Sequence, residues 1–186
     1  MVTSIPSTRV APAPADVRQA AEMLVNASTP MIFVGDGVAY SGAQAELERV
    51  ADLLGAEVWE ADSGELNLRY DHPLYMGMTG HMFGKNSLPL TMKGDANLVV
   101  GTYMLPEVFP VLENIFAPDA SIIHFDLNAY EIAKNHPVTI GAVADPKLSL
   151  AALADTLYAQ MSQEEKKAAR LRYETIGEQK VEKQKA

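Results

Sequence analysis

The 186-residue chain contains no cysteine and a single tryptophan. The first absence removes disulfides, thiolate nucleophiles and cysteine-ligated zinc together, and it fits a reducing compartment. Positive charge is scarce. Fifteen Lys and Arg stand against 24 Asp and Glu, a formal net charge of −9 with a pI near 4.9, which argues against nucleic acid as a partner. No window approaches the roughly 18 to 20 uncharged apolar residues of a membrane-spanning helix, and the first residues lack the basic flank and apolar run of a leader. The sequence therefore reads as cytoplasmic, with no membrane partner. What is present is an ordinary globular composition, 48% hydrophobic and 21% charged with mean hydropathy −0.03, enough to bury a core and too apolar for wholesale disorder.

Charge divides the chain unevenly. Residues 163–186 carry seven basic and five acidic side chains, whereas 1–162 carry eight and nineteen, so the body is near −11 and the tail near +2. The tail is rich in Glu, Gln, Lys and Ala, with Leu171, Tyr173, Ile176 and Val181 as its few large apolar residues. Such composition suits a solvated helix or a linker. At the other end, three prolines between Ile5 and Pro14 predict an extended lead-in. The expected organisation is an extended linker over 1–14, one domain over 15–161, and a charged helical tail or linker over 162–186.

Within the body, helical spacing alternates with short solid apolar runs. Val17, Ala21, Leu24 and Val25 share one helical face before Ser28-Thr29-Pro30, and Met31-Ile32-Phe33-Val34 follows, ending at Gly35-Asp36-Gly37. A run apolar on both sides is the pattern of a strand buried in a parallel sheet. Ala43, Leu47, Val50, Ala51 and Leu54 return to helical spacing, closed by Gly55 as a C-cap, and 56–60 is a second strand. Further runs over 96–100, 121–125 and 138–143 each end in Gly or Asp. Asp145-Pro146 then starts a helix carrying Leu150, Leu153, Ala154, Leu157 and Met161. Five strands alternating with helices predict an α/β fold, a Rossmann-like, doubly wound parallel sheet with helices on both faces. Ligands of such sheets sit outside the carboxyl ends of the strands, which directs attention to the loops after Val34, Val100, Phe125 and Val143.

Those loops hold the candidate binding residues. Gly35, Asp36 and Gly37 lack the spacing of a full dinucleotide fingerprint, although glycines there would let a backbone approach a phosphate, or would serve only a tight turn. Asp126 could accept hydrogen bonds from a ribose or could cap a turn, with Asn128 two residues on. The four histidines, His72, His81, His124 and His136, show no metal-site spacing. No metal ligand and no catalytic residue is expected. His124, inside an apolar strand, reads as a core histidine, and Met76, Met78 and Met82 as fillers of a core or interface.

The ordered features from Val17 to Leu157 resemble the central domain of thiamine-diphosphate-dependent enzymes, the group that includes acetolactate synthase, benzoylformate decarboxylase and pyruvate oxidase. The resemblance rests on Pro30 to Gly37, on Leu53 to Val58, and on Asp71-His72-Pro73-Leu74-Tyr75-Met76-Gly77-Met78, similar to a His-Pro-x-x-x-Gly stretch of that family. Its most specific part runs from Phe116 through Asp126 and on through Glu131 to Asp145. In those enzymes thiamine diphosphate and magnesium lie between an N-terminal pyrimidine domain and a C-terminal pyrophosphate domain bearing Gly-Asp-Gly and Asn-Asn. The resemblance implies that both belong to a parent enzyme, where they and further copies of the chain would be the partners of this domain. Gly35-Asp36-Gly37 is not that metal motif, since it follows the first strand and no Asn-Asn pair occurs.

Some family members hold FAD or ADP in the central domain. The corresponding positions are Gly35, Asp36, Gly37, the segment from Gly77 and Met78 to Phe83, Gly101, Thr102, Asp126, Asn128 and Asp145. Two departures count against FAD. The Gly-x-Arg-Phe-Asp-Asp-Arg segment of FAD-binding members is here Gly101-Thr102-Tyr103-Met104-Leu105-Pro106-Glu107, without either arginine, and the second aspartate of a later Asp-x-Asp is Asn128. A missing guanidinium removes a bidentate, charge-assisted contact to a pyrophosphate. The expectation is a non-catalytic scaffold domain without a cofactor of its own, with a stand-alone adenine-nucleotide-binding module as the alternative.

Overall fold

The computed structural model describes residues 4, 7–61, 63–80, 87–103 and 114–185. In chain order they form α1 (Pro14–Asn26), β1 (Pro30–Val34), α2 (Gly37–Tyr40), α3 (Gln44–Leu54), β2 (Glu57–Glu60), β3 (Tyr75–Met78), α4 (Leu88–Thr91), β4 (Ala96–Val100), β5 (Ser121–Asp126), β6 (Ile140–Val143), α5 (Pro146–Gln160) and α6 (Gln163–Lys185). The strands make one sheet in the order β3-β2-β1-β4-β5-β6, each neighbouring pair parallel. The chain winds outward from β1 to β3, returns to the centre, and winds outward again from β4 to β6. The reversal of strand order falls between β1 and β4, so their carboxyl ends flank the crevice where ligands of such sheets bind.

Central position explains the solid apolar runs. Every residue of β1 and β4 is buried, because a parallel sheet is covered on both faces. On one face Ile32, Val34, Leu98, Val100, Ile123 and Phe125 meet the apolar stripes of α1, α3 and α5. On the other, Met31, Phe33, Val99 and Ile122 meet Ile115, Phe116 and Leu88 of α4. The five expected strands are joined by a sixth, β3. Its Tyr-Met-Gly-Met sequence lacks the β-branched residues that mark a strand, and as the sheet's edge it buries little. Gly77, paired with Trp59, adopts φ +100°.

The charged tail forms a single helix, and it lies on the body. The α6 residues Ala169, Tyr173 and Ile176 join the main core. Arg172 donates from Nε and Nη2 to the Leu54 carbonyl at 3.1 and 2.7 Å, and Lys180 donates to the carbonyls of Tyr70 and His72, both at 2.6 Å. These side chains recur three and four residues apart, on one face of the helix. Among the described residues, no helix is long and apolar enough to cross a membrane.

Candidate functional site

The loops at the carboxyl edge bring several candidate residues into contact. Gly35, Asp36 and Gly37 follow β1, and Gly101 and Thr102 follow β4 beside them. A Cβ at Gly35 would stand 2.6 Å from the Thr102 Cβ, and one at Gly37 2.7 Å from the Gly101 Cα. These glycines permit two backbones to touch across the switch point. Gly101 itself has φ +62°, and its carbonyl accepts from the Gly37 amide at 2.9 Å. The Thr102 hydroxyl is directed to the Ala61 carbonyl at 3.4 Å.

Five amide donors at the β1 turn, those of Gly35, Gly37, Val38, Ala39 and Tyr40, are already engaged. Gly35 donates to the Val100 carbonyl, Val38 to the Gly35 carbonyl and Tyr40 to the Asp36 carbonyl. Ala39 donates to Oδ1 of Asn67 at 3.1 Å. The Asp36 carboxylate turns toward the loop after β2, where its Oδ1 accepts from the Ser63 hydroxyl at 2.7 Å and from the Gly64 and Glu65 amides at 2.8 and 2.9 Å. Burial acting alone would raise this carboxyl, but the hydrogen bonds from Ser63, Glu65 and Gly64 outweigh it and hold Asp36 below its ordinary value.

Further along the edge, Asp126 closes β5. Its Oδ1 accepts from the Asn128 amide at 2.6 Å, and Asn128 Oδ1 in turn accepts from the Tyr130 amide at 3.1 Å, a pair of successive side-chain turns. Burial pushes the Asp126 carboxyl above its ordinary value. Asp145 caps α5, accepting from the Leu148 amide at 3.0 Å. Gly77 and Met78 lie in β3 beyond β2 and so stand apart from the β1–β4 crevice. The adjoining residues 81–86, with His81, Met82 and Phe83, fall outside the described residues, as does Met104-Leu105-Pro106-Glu107.

Two features escape a reading along the sequence. Glu60 is buried at 5% exposure, taking the Asn67 side chain on Oε1 at 3.3 Å and the Tyr75 hydroxyl on Oε2 at 3.1 Å. Burial first, and the Glu60 carboxylate second, push the Tyr75 hydroxyl up to about 12. The other is a cluster of Glu48 and Asp52, one turn apart on α3, with His72, whose ligand-type atoms lie within 4.8 Å of one another. His72 Nδ1 accepts from the Leu74 amide at 3.3 Å, which leaves the ring proton on Nε2, 3.3 Å from Asp52 Oδ1. Carrying that proton, Nε2 has no lone pair to offer a cation. Glu48 and Asp52 stand four positions apart on α3, a pairing not read from the sequence, and only folding brings His72 to them.

His124 is fully buried in β5, with Nε2 2.8 Å from the Thr102 carbonyl, to which it donates. Its Nδ1 has no hydrogen-bond partner among the described residues. Burial pulls the imidazole below its ordinary value, against the Thr102 hydrogen bond, so the ring is held neutral.

The strand order and the parallel pairing define a Rossmann-like, doubly wound α/β domain. Residues 17–153 match the model of the thiamine pyrophosphate enzyme central domain, and the chain belongs to that family. It is 33% identical over 146 residues to the "Probable acetolactate synthase large subunit" of Methanocaldococcus jannaschii, covering 78% of this chain and 24% of that protein. It is 30% identical over 149 residues to the acetolactate synthase large subunit of Corynebacterium glutamicum, covering 80% of this chain and 24% of that one. The benzoylformate decarboxylase of Polynucleobacter necessarius shares its fold, with a TM-score of 0.74 at 22% identity over 84% of this chain and 29% of that structure. The chain thus spans about a quarter of the length of the curated relatives it matches.

Proposed function

We propose that this chain is the non-catalytic central domain of a thiamine-diphosphate-dependent enzyme acting on a 2-keto acid, a decarboxylase, other lyase or acetolactate-synthase-like transferase. The observation that carries the reading is the family match over 17–153, on a chain whose match spans about a quarter of the length of its relatives. Thiamine diphosphate and magnesium would be held by flanking pyrimidine and pyrophosphate domains, and this domain would keep those two in register and contribute to contacts between like chains. Its domain limits are proposed as 15–161, preceded by an extended linker and followed by the helical tail. The carboxyl-edge loops, with Gly35, Asp36, Gly37, Gly101, Thr102, Asp126, Asn128 and Asp145, would be the vestige of a nucleotide site, from whose centre Gly77 and Met78 on the edge strand stand apart. The reading places the enzyme in the cytoplasm.

The test is a calorimetric titration of the chain with thiamine diphosphate and magnesium, paired with a 2-keto acid turnover assay. The expected result is neither saturable binding nor decarboxylation. Either one, observed in the isolated chain, overturns the assignment as a non-catalytic domain.

A further inference from the structure

We infer that the turn after β1, beside the switch point, is occupied by the chain itself: the loop 63–67 is locked over the carboxyl ends of β1 and β2 by Asp36 and Asn67, and this closes that turn to the phosphate and ribose of adenine nucleotides. The inference rests on the central-domain reading and adds what its nucleotide site does.

A nucleotide bound at the first turn of such a sheet needs two things from the protein. Its phosphate needs unengaged backbone N–H groups, and its ribose needs a carboxylate free to accept from hydroxyls. Here the amides of Gly35, Gly37, Val38, Ala39 and Tyr40 all have acceptors within the chain. The acceptor at Ala39 is the Asn67 side-chain oxygen, where a phosphate oxygen would otherwise serve. The only helix at this turn, α2, has four residues, too few to build a useful dipole. The carboxylate of Asp36, for its part, receives one hydroxyl and two amides from 63–65.

The two contacts are reciprocal. The turn after β1 supplies an acceptor to the loop through Asp36, and the loop supplies an acceptor to the turn through Asn67. Asn67 is fully buried and ties both halves together, because its Nδ2 donates to Ser63 Oγ at 2.6 Å while Ser63 Oγ donates to Asp36. Glu60 holds the same amide from beneath. Successive hydrogen bonds of this kind polarise one another and strengthen the chain. Among the described residues, then, the amides of Gly35, Gly37, Val38, Ala39 and Tyr40 and the Asp36 carboxylate are committed within the chain, which does not fit FAD or ADP at this turn.

The experiment combines nucleotide titration with amide hydrogen exchange on the full chain. Calorimetry with ADP and with FAD is expected to give no saturable uptake. Exchange at Ala39, Gly64 and Glu65 is expected to be slow in the wild type. In Asp36→Ala the Gly64 and Glu65 amides should exchange at least about tenfold faster, the loss expected when hydrogen bonds to a charged acceptor go. Amides of β1 and β4 serve as the control for folding and should keep their protection. Asp36→Asn, which retains one acceptor oxygen, should fall between. Saturable ADP or FAD uptake by the wild type overturns the inference, as does unchanged exchange at Gly64 and Glu65 in Asp36→Ala. Uptake of thiamine diphosphate would instead overturn the proposed function and leave the lock standing.

Discussion

Gly55 and Ala169 stand in backbone contact: a Cβ placed on Gly55 would overlap the Ala169 carbonyl oxygen. Gly55 has φ +58° and ends α3, and the Leu54 carbonyl that its turn exposes receives the Arg172 guanidinium. A left-handed C-cap and the docking of α6 therefore meet at one residue. Gly42 has φ +64° with nothing within 4 Å of its would-be Cβ. Gly42→Ala should cost only the left-handed penalty, about 1 kcal/mol. Gly55→Ala should cost that and displace α6 as well, so its melting temperature should drop further, by about 3 °C for each additional kcal/mol in a chain of this length. Equal melting temperatures for the two variants would show that α6 does not depend on this contact.

The α5 start yields a second prediction. Asp145 accepts from the Leu148 amide, and Pro146 occupies the first helical position. Asp145→Ala leaves that amide without its cap and should destabilise the chain by about 1 kcal/mol, whereas Asp145→Ser should restore most of the loss. Urea midpoints of the three proteins decide it, the expected order being wild type, then Ser, then Ala.

His124 predicts an acid sensitivity. Its folded value lies below the ordinary 6.5 because the ring is buried, so below about pH 6.5 the unfolded chain binds a proton that the folded chain refuses. Stability is fully present above the unfolded value and is lost as pH falls toward the folded one. Glutamine can place its amide nitrogen near Nε2 and keep the bond to Thr102. Stability measured by denaturant between pH 7 and 5 should fall more steeply for the wild type than for His124→Gln. Parallel curves would remove His124 as the source.

Asp126 has the opposite sign. Burial raises its folded value above the unfolded one, so the charged carboxylate is disfavoured in the fold at neutral pH, and wild-type stability gains as pH falls from the folded value to the unfolded one. Asn keeps an oxygen for the Asn128 amide. Asp126→Asn should therefore be more stable than the wild type at pH 7, with the difference shrinking in acid. A variant that is less stable at pH 7, by the same margin at every pH, contradicts this.

Much of the fold was legible because its signals are local. The solid runs of β1 and β4, the stripes of α1, α3 and α5, Gly55 as a C-cap and Asp145-Pro146 as a helix start each follow from period, handedness or a missing N–H. The weak signal was β3, whose four residues lie at an edge and so carry no buried alternation. The candidate site was legible as positions and not as contacts. Asp36 and Asp126 could be named from the ends of strands, but nothing along the chain reveals that Ser63, Gly64 and Glu65 converge on one and the Asn128 amide on the other.

What the sequence by itself determined is the alternation of strands and helices, the family, and the places where loops carry polar residues, since these depend on neighbours a few positions away and on ordered motifs. The tertiary structure decided strand order, the Thr102 carbonyl as partner of His124, the docking of α6 and the interlock of Asp36 with Asn67. Each of those joins residues about 20 to more than 100 positions apart, and such pairs are set by which surfaces pack and which buried polar groups find partners.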